Sequence, residues 1–197
     1  MKKIIITYAV KGEYIPLEFE GYQVISIQTG VGKTKSTYNL TKKIMEERPD
    51  FVLNVGTAGT VSHCIGDIFV ATHFVDRDYE AINRPGIIYE IEGKPLMGGS
   101  SQLLDWISAY PKLGVCNTGD TFVTQIDSLT GDFVDMEGFS QAFVCQEMGI
   151  PFLSVKYITD RIGENSVEAW ENKLADAREA LSKWFEEHRL LSVLLSK

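Results

Sequence analysis

The sequence predicts an α/β fold, a single three-layer α/β/α domain spanning residues 1–197 around a central mixed β-sheet. Continuous apolar runs recur along the chain, which is typical of strands that helices cover on both faces. Helical segments with polar faces separate several of these runs. A chain of this length is usually one domain and is large enough to bury a core. We find no internal repeat, low-complexity tract or linker that would divide it.

Six apolar runs are predicted to be the strands of this sheet. They are short and enriched in β-branched residues, as buried strands usually are. The runs are Ile4–Thr7, Val24–Ile27, Phe51–Val55, Ile68–Phe74, Leu113–Cys116 and Phe152–Ile158.

Three segments are predicted to be helices. The first occupies residues 33–50, where Lys and Glu dominate the polar positions, and Pro49 closes it because proline cannot continue a helix interior. The second runs from about Met136 to Met148 and ends at Gly149. The third is C-terminal and carries a stripe of apolar residues at alternating spacings of four and three, which predicts a buried face. The aromatic residues of this stripe are assigned to the core; its members are Trp170, Leu174, Ala177, Leu181 and Trp184.

The middle of the chain, Asp76–Pro111, lacks clear helical periodicity. Its sequence IIYEIEG lies close to the turn-forming Gly86 and Gly93, which predicts a hairpin or edge elements of the sheet.

Composition excludes several classes of function. A net charge of −8 argues against a nucleic-acid surface, which needs a basic face. No window approaches the roughly 18 uninterrupted apolar residues of a membrane span, and the short apolar N-terminal run is predicted to be a strand rather than a signal peptide. Cys64, Cys116 and Cys145 are odd in number and far apart. They are therefore expected to be buried free thiols in a reducing cytoplasm, and neither a zinc site nor any other metal or organic cofactor is expected.

The segment Thr29–Thr34, TGVGKT, is similar to the end of a phosphate-binding P-loop. The full motif needs a glycine five positions before its last glycine, and Ile27 stands there. The motif therefore fails. A tight glycine turn that lets strand and helix pack closely is favoured over a phosphate site.

Two further glycine-containing segments, Asn54–Val61 and Cys116–Val123, also follow predicted strands. The small residues of the first let a ligand approach backbone N–H groups beside the hydroxyl of Thr57. The second offers Phe122, which could stack on a planar heterocycle or could equally be a core residue after a turn.

The stretch from 132 to 163 places Met136 and Glu137 at the start of a helix and Asp160 just past a strand. Helix starts and strand ends are where α/β proteins present polar groups to a ligand, and an acid there can protonate a leaving group. A structural interpretation is also open. Asp135 and Glu137 could favour the helix N-terminus, while Asp160 could cap the next turn or pair with Arg161.

Seven sequence blocks in a fixed order resemble the purine nucleosidase and nucleoside phosphorylase superfamily, and within it the 5′-methylthioadenosine/S-adenosylhomocysteine nucleosidases. They are spread over Lys3–Gly163, most of the chain, and their combination is more specific than any one block. The blocks are Glu13, GVGK, NVGTAG, IGDIFVATHFVDRD, TGDTFV, VDMEG and KYITDRIG. The resemblance implies a nucleoside phosphorylase-like fold.

The resemblance also implies roles for individual residues. Glu13 corresponds to the carboxylate that activates the attacking water, and Asp160 to the acid that hydrogen-bonds the purine and protonates its N7. Phe122 and Val123 correspond to the segment that packs on the purine and binds its edge. The remaining residues implied at the substrate site, including the ribose-binding pair Met136 and Glu137, are Thr57, Ala58, Gly59, Asp135, Met136, Glu137, Lys156 and Thr159. By resemblance, water is the co-substrate and the chain is a homodimer whose neighbouring chain closes the pocket for the 5′ substituent.

The sequence departs from the family pattern at several positions. Lys156 stands where these nucleosidases commonly have arginine, which keeps the charge but loses the planar fork. Asp135 replaces a glutamate and Thr57 replaces a serine. The chain is also shorter around Tyr89–Lys112, where the family builds contacts to the partner chain and to the 5′ substituent.

Three functions remain open on sequence. Hydrolysis of a purine nucleoside, with 5′-methylthioadenosine or S-adenosylhomocysteine as the expected substrate, is favoured. A phosphorylase would need arginine or a cluster of donors for phosphate, whereas the loop after the first strand offers Glu13, a carboxylate that would repel it. A nucleoside-binding protein with weak or lost catalysis is the third possibility, and the presence of Glu13, Glu137 and Asp160 together argues against it.

Overall fold

The computed structural model describes residues 1–19, 21–82, 84–98, 101–125, 129–163 and 166–188. The part of the predicted single domain at 189–197 lies outside the described residues. Eight strands are present in these ranges: β1 Lys2–Tyr8, β2 Tyr22–Gln28, β3 Phe51–Thr60, β4 Ile68–Asp76, β5 Glu90–Glu92, β6 Leu113–Thr118, β7 Phe133–Asp135 and β8 Phe152–Arg161.

The described ranges also contain six α-helices and one short 3₁₀ helix. The 3₁₀ helix, Lys11–Glu13, follows β1 directly. The α-helices are α1 Lys33–Glu47, α2 Arg77–Glu80, α3 Gly93–Leu96, α4 Ser101–Ala109, α5 Gly138–Met148 and α6 Ser166–His188. Among the described residues, no helix has the length and apolar content needed to cross a membrane.

The eight strands form one mixed sheet. Its order is β2-β1-β3-β7-β6-β4-β5, and β8 pairs with both β3 and β4. The pairs β1–β2, β1–β3, β3–β8, β4–β6 and β6–β7 are parallel, whereas β8 and β5 run antiparallel to β4. A single antiparallel bridge, Gly59 to Val134, joins β3 to β7. The strands β3, β8, β4, β6 and β7 therefore close into a ring.

Helices cover both faces of the sheet. On one face, the core contains Ile4 and Ile6 of β1 together with Leu103 of α4 and Leu181 of α6. On the other face, Ile5 of β1 packs with apolar residues of α1 and α5. Successive side chains of a strand point to opposite faces, so β1 contributes to both cores. The predicted three-layer α/β/α arrangement around a mixed sheet is confirmed.

The middle segment contains three helices, α2, α3 and α4, that the sequence did not predict, and α4 is the longest of them. The expected edge element is present, because β5 pairs antiparallel with the end of β4. In helix α4, Leu103 and Ile107 are buried and face the core, and four apolar residues at 103, 106, 107 and 110 have helical spacing. The periodicity is confined to about two turns, too short a window to stand out from the surrounding polar residues.

The three cysteines are all free thiols, but only two are buried as expected. Cys116 lies on β6 and Cys145 on α5, inside the core. Cys64 is exposed, because it occupies the turn between β3 and β4 rather than an element of the core.

A chain of buried polar side chains crosses the sheet from β8 through β3 to β1. Ser154 donates to Asn54, whose amide donates to Thr7 (2.8 and 3.1 Å). The Thr7 hydroxyl donates to Gln141 at 2.6 Å, and the Gln141 amide donates to Ser36 at 2.9 Å. Because buried polar groups are stable only when they are hydrogen-bonded, this chain fixes β8, β3, β1, α5 and α1 relative to one another.

Candidate active site

A cavity of about 230 Å³ lies at one edge of the sheet, where the ends of β3, β7 and β8 meet the loops that follow β1, β2 and β6. The carboxyl ends of strands are the usual ligand-binding edge of an α/β fold. Ten of the twelve residues predicted from the sequence line this cavity: Glu13, Thr57, Ala58, Gly59, Phe122, Val123, Asp135, Met136, Glu137 and Asp160. A larger open groove of about 1190 Å³ along α1 and α5 contains none of the twelve predicted residues.

Glu13 ends the 3₁₀ helix and is only 6% exposed. One oxygen of its carboxylate, Oε1, accepts hydrogen bonds from the backbone N–H of Thr57 at 2.9 Å and from the Thr57 hydroxyl at 2.6 Å. The other, Oε2, accepts from the backbone N–H groups of Ala9 and Val10 at 3.0 and 3.2 Å. Four donors therefore hold this carboxylate in one orientation toward the cavity.

Lys156 and Asp135 form a buried ion pair beneath the cavity. Their Nζ–Oδ2 distance is 3.0 Å, and the side chains are only 2% and 1% exposed. Asp135 also accepts from the hydroxyl of Thr118 at 2.6 Å and from the backbone N–H of Gly138 at 2.8 Å. Lys156 is fully buried and does not line the cavity, so the structure places it behind the wall, where it acts on the cavity through Asp135.

The ion pair keeps both partners charged. Burial alone would raise the pKa of Asp135, but Lys156 and the Thr118 hydroxyl outweigh it and hold that pKa below its ordinary value. Burial would likewise lower the pKa of Lys156, and the carboxylates of Asp135 and Glu137 reverse this, raising the pKa. When both groups are charged and removed from water, each is tolerated only because the other compensates its charge.

Glu137 precedes the first turn of α5 and accepts a hydrogen bond from the backbone N–H of Gly32 at 2.9 Å. Burial and the neighbouring charge of Asp135 raise the pKa of Glu137 to about 8. With this pKa, the Glu137 carboxyl group carries a proton at neutral pH. A protonated carboxyl group can donate one hydrogen bond as well as accept others, which suits it to bind a hydroxyl-bearing ligand.

Asp160 lies near the end of β8, where the pairing with β3 is irregular. Ala58 pairs with Ile158 and Gly59 with Asp160, so Thr159 is an extra residue in the ladder. Such bulges redirect the side chains beside them and occur often next to active sites. Thr159 is fully buried and does not line the cavity; its hydroxyl donates to Asp160 Oδ1 at 2.8 Å. It therefore orients the Asp160 carboxyl group from behind.

Glycines on β3 leave room for the two carboxyl groups. A Cβ atom added to Gly56 would lie 3.1 Å from Glu13 Oε1 and 3.5 Å from Lys156 Nζ, and one added to Gly59 would lie 3.0 Å from Asp160 Oδ2. Glu13 bonds to Thr57 and Asp160 sits against Gly59, two residues further along the strand. With a rise of about 3.3 Å per residue, these two strand positions are about 6–7 Å apart.

Aromatic and apolar side chains form the other walls of the cavity. Phe122 and Val123 are half-buried on the loop after β6. The rings of Phe122 and Trp170 meet edge-on, with centroids 6.4 Å apart. Trp170 was assigned to the core from the sequence, and this assignment is wrong. It occupies the first turns of α6, which lie over the cavity, while Ala177 and Leu181 further along the same stripe are buried in the core.

The glycine turn at 30–33 joins several of these loops. Gly30 and Gly32 have φ angles of 82° and 95°, a conformation that favours glycine. The backbone N–H of Lys33 donates to Asp120 at 2.7 Å, and its ammonium contacts Asp76 and Asp78 at 2.8 and 2.6 Å. The turn thus positions Glu137 through Gly32 and the loop before Phe122 through Lys33.

Arg77, like Trp170, lines the cavity although the sequence did not indicate it as a site residue. It begins α2, and its guanidinium group donates to Asn117 and to the carbonyl of Thr121. Both Arg77 and Lys33 lie within sequence blocks that carried the family resemblance. Their charge within those blocks was the available signal, but only the fold shows that they hold the loop carrying Phe122.

Comparisons with known proteins identify the family and the fold of the chain. A family model for the phosphorylase superfamily matches residues 6–187. The 5′-methylthioadenosine/S-adenosylhomocysteine nucleosidases of Bacillus subtilis and Pseudoalteromonas translucida are 27% and 30% identical, over 84% and 81% of this chain and 80% and 76% of theirs. The crystal structure of such a nucleosidase from Helicobacter pylori with butyl-thio-DADMe-Immucillin-A is 25% identical, with a TM-score of 0.78 over 95% of this chain and 97% of that one. A futalosine hydrolase of the same organism shares the fold at 24% identity, with a TM-score of 0.77 over 98% of this chain and 97% of that one.

The raised pKa of Glu137 predicts a specific pH dependence of stability. The folded state holds the proton up to about pH 8, whereas the unfolded chain releases it near the ordinary value of 4.5. The contribution of Glu137 to the free energy of unfolding is therefore fully present below about pH 4.5 and is lost as the pH rises through 8. Glu137→Gln removes the titration, so the melting temperature of the variant relative to the wild type should rise between pH 5 and pH 9.

Glu147→Gln, at an exposed position of the same helix, is the matched control for this measurement. Its melting temperature should keep a constant offset from the wild type. Parallel curves for Glu137→Gln as well would show that Glu137 does not hold a proton in the folded protein.

Proposed function

Because the chain belongs to the phosphorylase superfamily, we propose that it hydrolyses the N-glycosidic bond of a purine nucleoside, with 5′-methylthioadenosine or S-adenosylhomocysteine as the substrate. The observation that carries this proposal is the meeting of Glu13, Glu137 and Asp160 in one cavity with an aromatic wall. The relatives named above act on the same class of substrate by name. Adenine and the thioribose are the products of this reaction.

The three carboxyl groups have separate roles in the proposed reaction. The purine lies against Phe122 and Val123, and the ribose hydroxyls bind Glu137 beside Met136. Water attacks C1′ as Glu13 takes its proton, so that a C1′–O bond forms while the C1′–N9 bond breaks. Asp160 gives a proton to N7, and the base leaves as a neutral purine. General acid and base catalysis of this kind typically accelerates a reaction by 10²–10⁴-fold.

The charges around the cavity favour water over phosphate as the nucleophile. Among the described residues, Arg77 is the cation that lines the cavity, and the buried Lys156 lies behind its wall. Lys156 is paired with Asp135, and Arg77 donates to Asn117 and to a backbone carbonyl. A phosphate dianion needs donors that are free to face it, and it would be repelled by Glu13. These contacts support hydrolysis rather than phosphorolysis.

Two further parts of the proposal rest on the family. We infer a homodimer in the cytoplasm, with the partner chain closing the pocket for the 5′ substituent. Exposed apolar side chains along α1 and α5, including Tyr38, Met45 and Phe143, support an interface on that face. Sedimentation equilibrium measures the assembly state directly.

Base release from a panel of nucleosides, with and without phosphate, tests the proposed function. The panel contains 5′-methylthioadenosine, S-adenosylhomocysteine, adenosine, inosine and, because of the shared fold, futalosine. We expect adenine release from the thio-substituted nucleosides at the same rate in phosphate-free buffer. Strict dependence on phosphate would replace hydrolysis by phosphorolysis, and release from none of the panel would favour a nucleoside-binding protein.

Asp160→Asn should separate the acid role from a structural one. The substitution preserves size and hydrogen bonding to Thr159 but leaves no carboxylic proton for the base. We expect normal melting, retained binding of a nucleoside analogue, and a loss of adenine release of about 10²–10⁴-fold. A nitrophenyl riboside, whose leaving group needs no protonation, should be cleaved almost normally.

The exposed Asp105→Asn is the control for the change of charge alone. Equal losses of Asp160→Asn on both types of substrate would remove Asp160 from the role of acid. A fall in the melting temperature of Asp160→Asn large enough to explain its inactivity would also assign Asp160 a structural role instead.

A further inference from the structure

Trp170 connects the last helix to the site of water activation. It lies in the first turns of α6, shortly after the strand that carries Asp160, and its indole ring lines the cavity. The indole Nε1–H donates to the hydroxyl oxygen of Thr57 at 2.9 Å. The same hydroxyl lies 2.6 Å from Glu13 Oε1.

The direction of this hydrogen-bonded chain follows from its chemistry. An indole N–H can only donate, so the Thr57 oxygen accepts from Trp170. A hydroxyl has one proton, and the carboxylate of Glu13 is its acceptor. The proton of Thr57 is therefore directed to Glu13, and the chain runs from Trp170 through Thr57 to the proposed base.

The other contacts of Glu13 show why this chain matters. Three of its four donors are backbone N–H groups, those of Ala9, Val10 and Thr57, which the fold fixes. The fourth is the Thr57 hydroxyl, whose proton can rotate. Two carboxylate oxygens offer about four acceptor positions, so all are occupied. A water molecule can therefore reach Glu13 only by replacing the hydroxyl.

We propose that Trp170 is a positioning residue for water activation, holding the Thr57 oxygen in place while its proton turns away from Glu13 to admit the attacking water. The inference rests on the proposed hydrolysis. Water then donates one proton to Glu13 Oε1 as its oxygen bonds to C1′, and the Thr57 oxygen stays fixed by the indole. In this account Thr57 makes room for the attacking water rather than binding the ribose, and Trp170 acts through Thr57.

Trp170→Phe tests the proposal because it keeps an aromatic ring against Phe122 and removes the N–H donor, and the Thr57→Val background separates the loss of the donor from the loss of ring size. One neutral hydrogen bond corresponds to a fall in kcat of about 3- to 10-fold, with KM within about twofold of the wild type. In a Thr57→Val background the same change should cost nothing further, because the acceptor is already gone. Trp170→Ala, which also removes the ring, should raise KM as well.

Trp184→Phe is the matched control. Its indole N–H also donates to a hydroxyl, that of Tyr110 at 2.9 Å, but this pair lies in the aromatic cluster between α4 and α6 rather than at the cavity. Its kcat and KM should match the wild type. Equal effects of the two Phe variants, or the same loss from Trp170→Phe with and without Thr57→Val, would overturn the proposal.

A second readout does not depend on turnover. The chain has three tryptophans, whose indole N–H signals in a ¹⁵N-labelled sample can be assigned from single Phe variants. Thr57→Val should move the Trp170 signal and leave the Trp184 signal unchanged. An unmoved Trp170 signal overturns the inference while leaving the proposed function intact. Failure of the wild type to release base from the whole nucleoside panel would remove the proposed function, and this inference with it.

Discussion

The ion pair between Lys156 and Asp135 is the interaction on which the site depends. Lys156 is the one buried lysine in the described part of the chain, and a buried ammonium group is tolerated only when a carboxylate and further hydrogen bonds compensate its lost hydration. Asp135 meets that requirement while also accepting from Thr118 and Gly138, so the pair joins β8, β7, β6 and the start of α5. Burial raises the pKa of Glu137; the charge of Asp135 adds to this effect, and the charge of Lys156 opposes it. One pair thus fixes the geometry of the cavity.

The strands deliver the remaining groups to the same edge. The ring of β3, β8, β4, β6 and β7 brings the ends of distant segments together, and the bulge at Thr159 turns Asp160 toward Gly59. The 3₁₀ helix after β1 supplies Glu13 to the neighbouring strand, at Thr57. The segment before Phe122 is held by the backbone N–H of Lys33, which donates to Asp120, and by the guanidinium group of Arg77, which donates to the carbonyl of Thr121. Apolar packing stabilises the sheet and its helices, and a small number of polar and charged contacts orients the side chains at the cavity.

Much of this arrangement is predictable from the sequence, and the exceptions have physical reasons. Apolar runs predict strands because burial on both faces leaves no polar alternation, and the order of the polar blocks indicates which strand ends carry the site. Sequence does not show that Lys156 and Thr159 stand behind the cavity wall, since that depends on the bulge and on the pairing of β8 with β3. Trp170 follows the periodicity of a core stripe, yet it lies at the cavity because only the later part of α6, from Ala177 onward, packs in the core.

The coupling free energy between Lys156 and Asp135 tests this account most directly. It is obtained from urea unfolding of the wild type, Lys156→Met, Asp135→Asn and the double variant. Removing one partner of a buried pair should cost about 3–5 kcal/mol, because the other charge is left without compensation. The double variant should be more stable than the sum of the single losses predicts, by at least about 2 kcal/mol. Losses that add to within about 0.5 kcal/mol, as for independent sites, would contradict the claim that this pair organises the site.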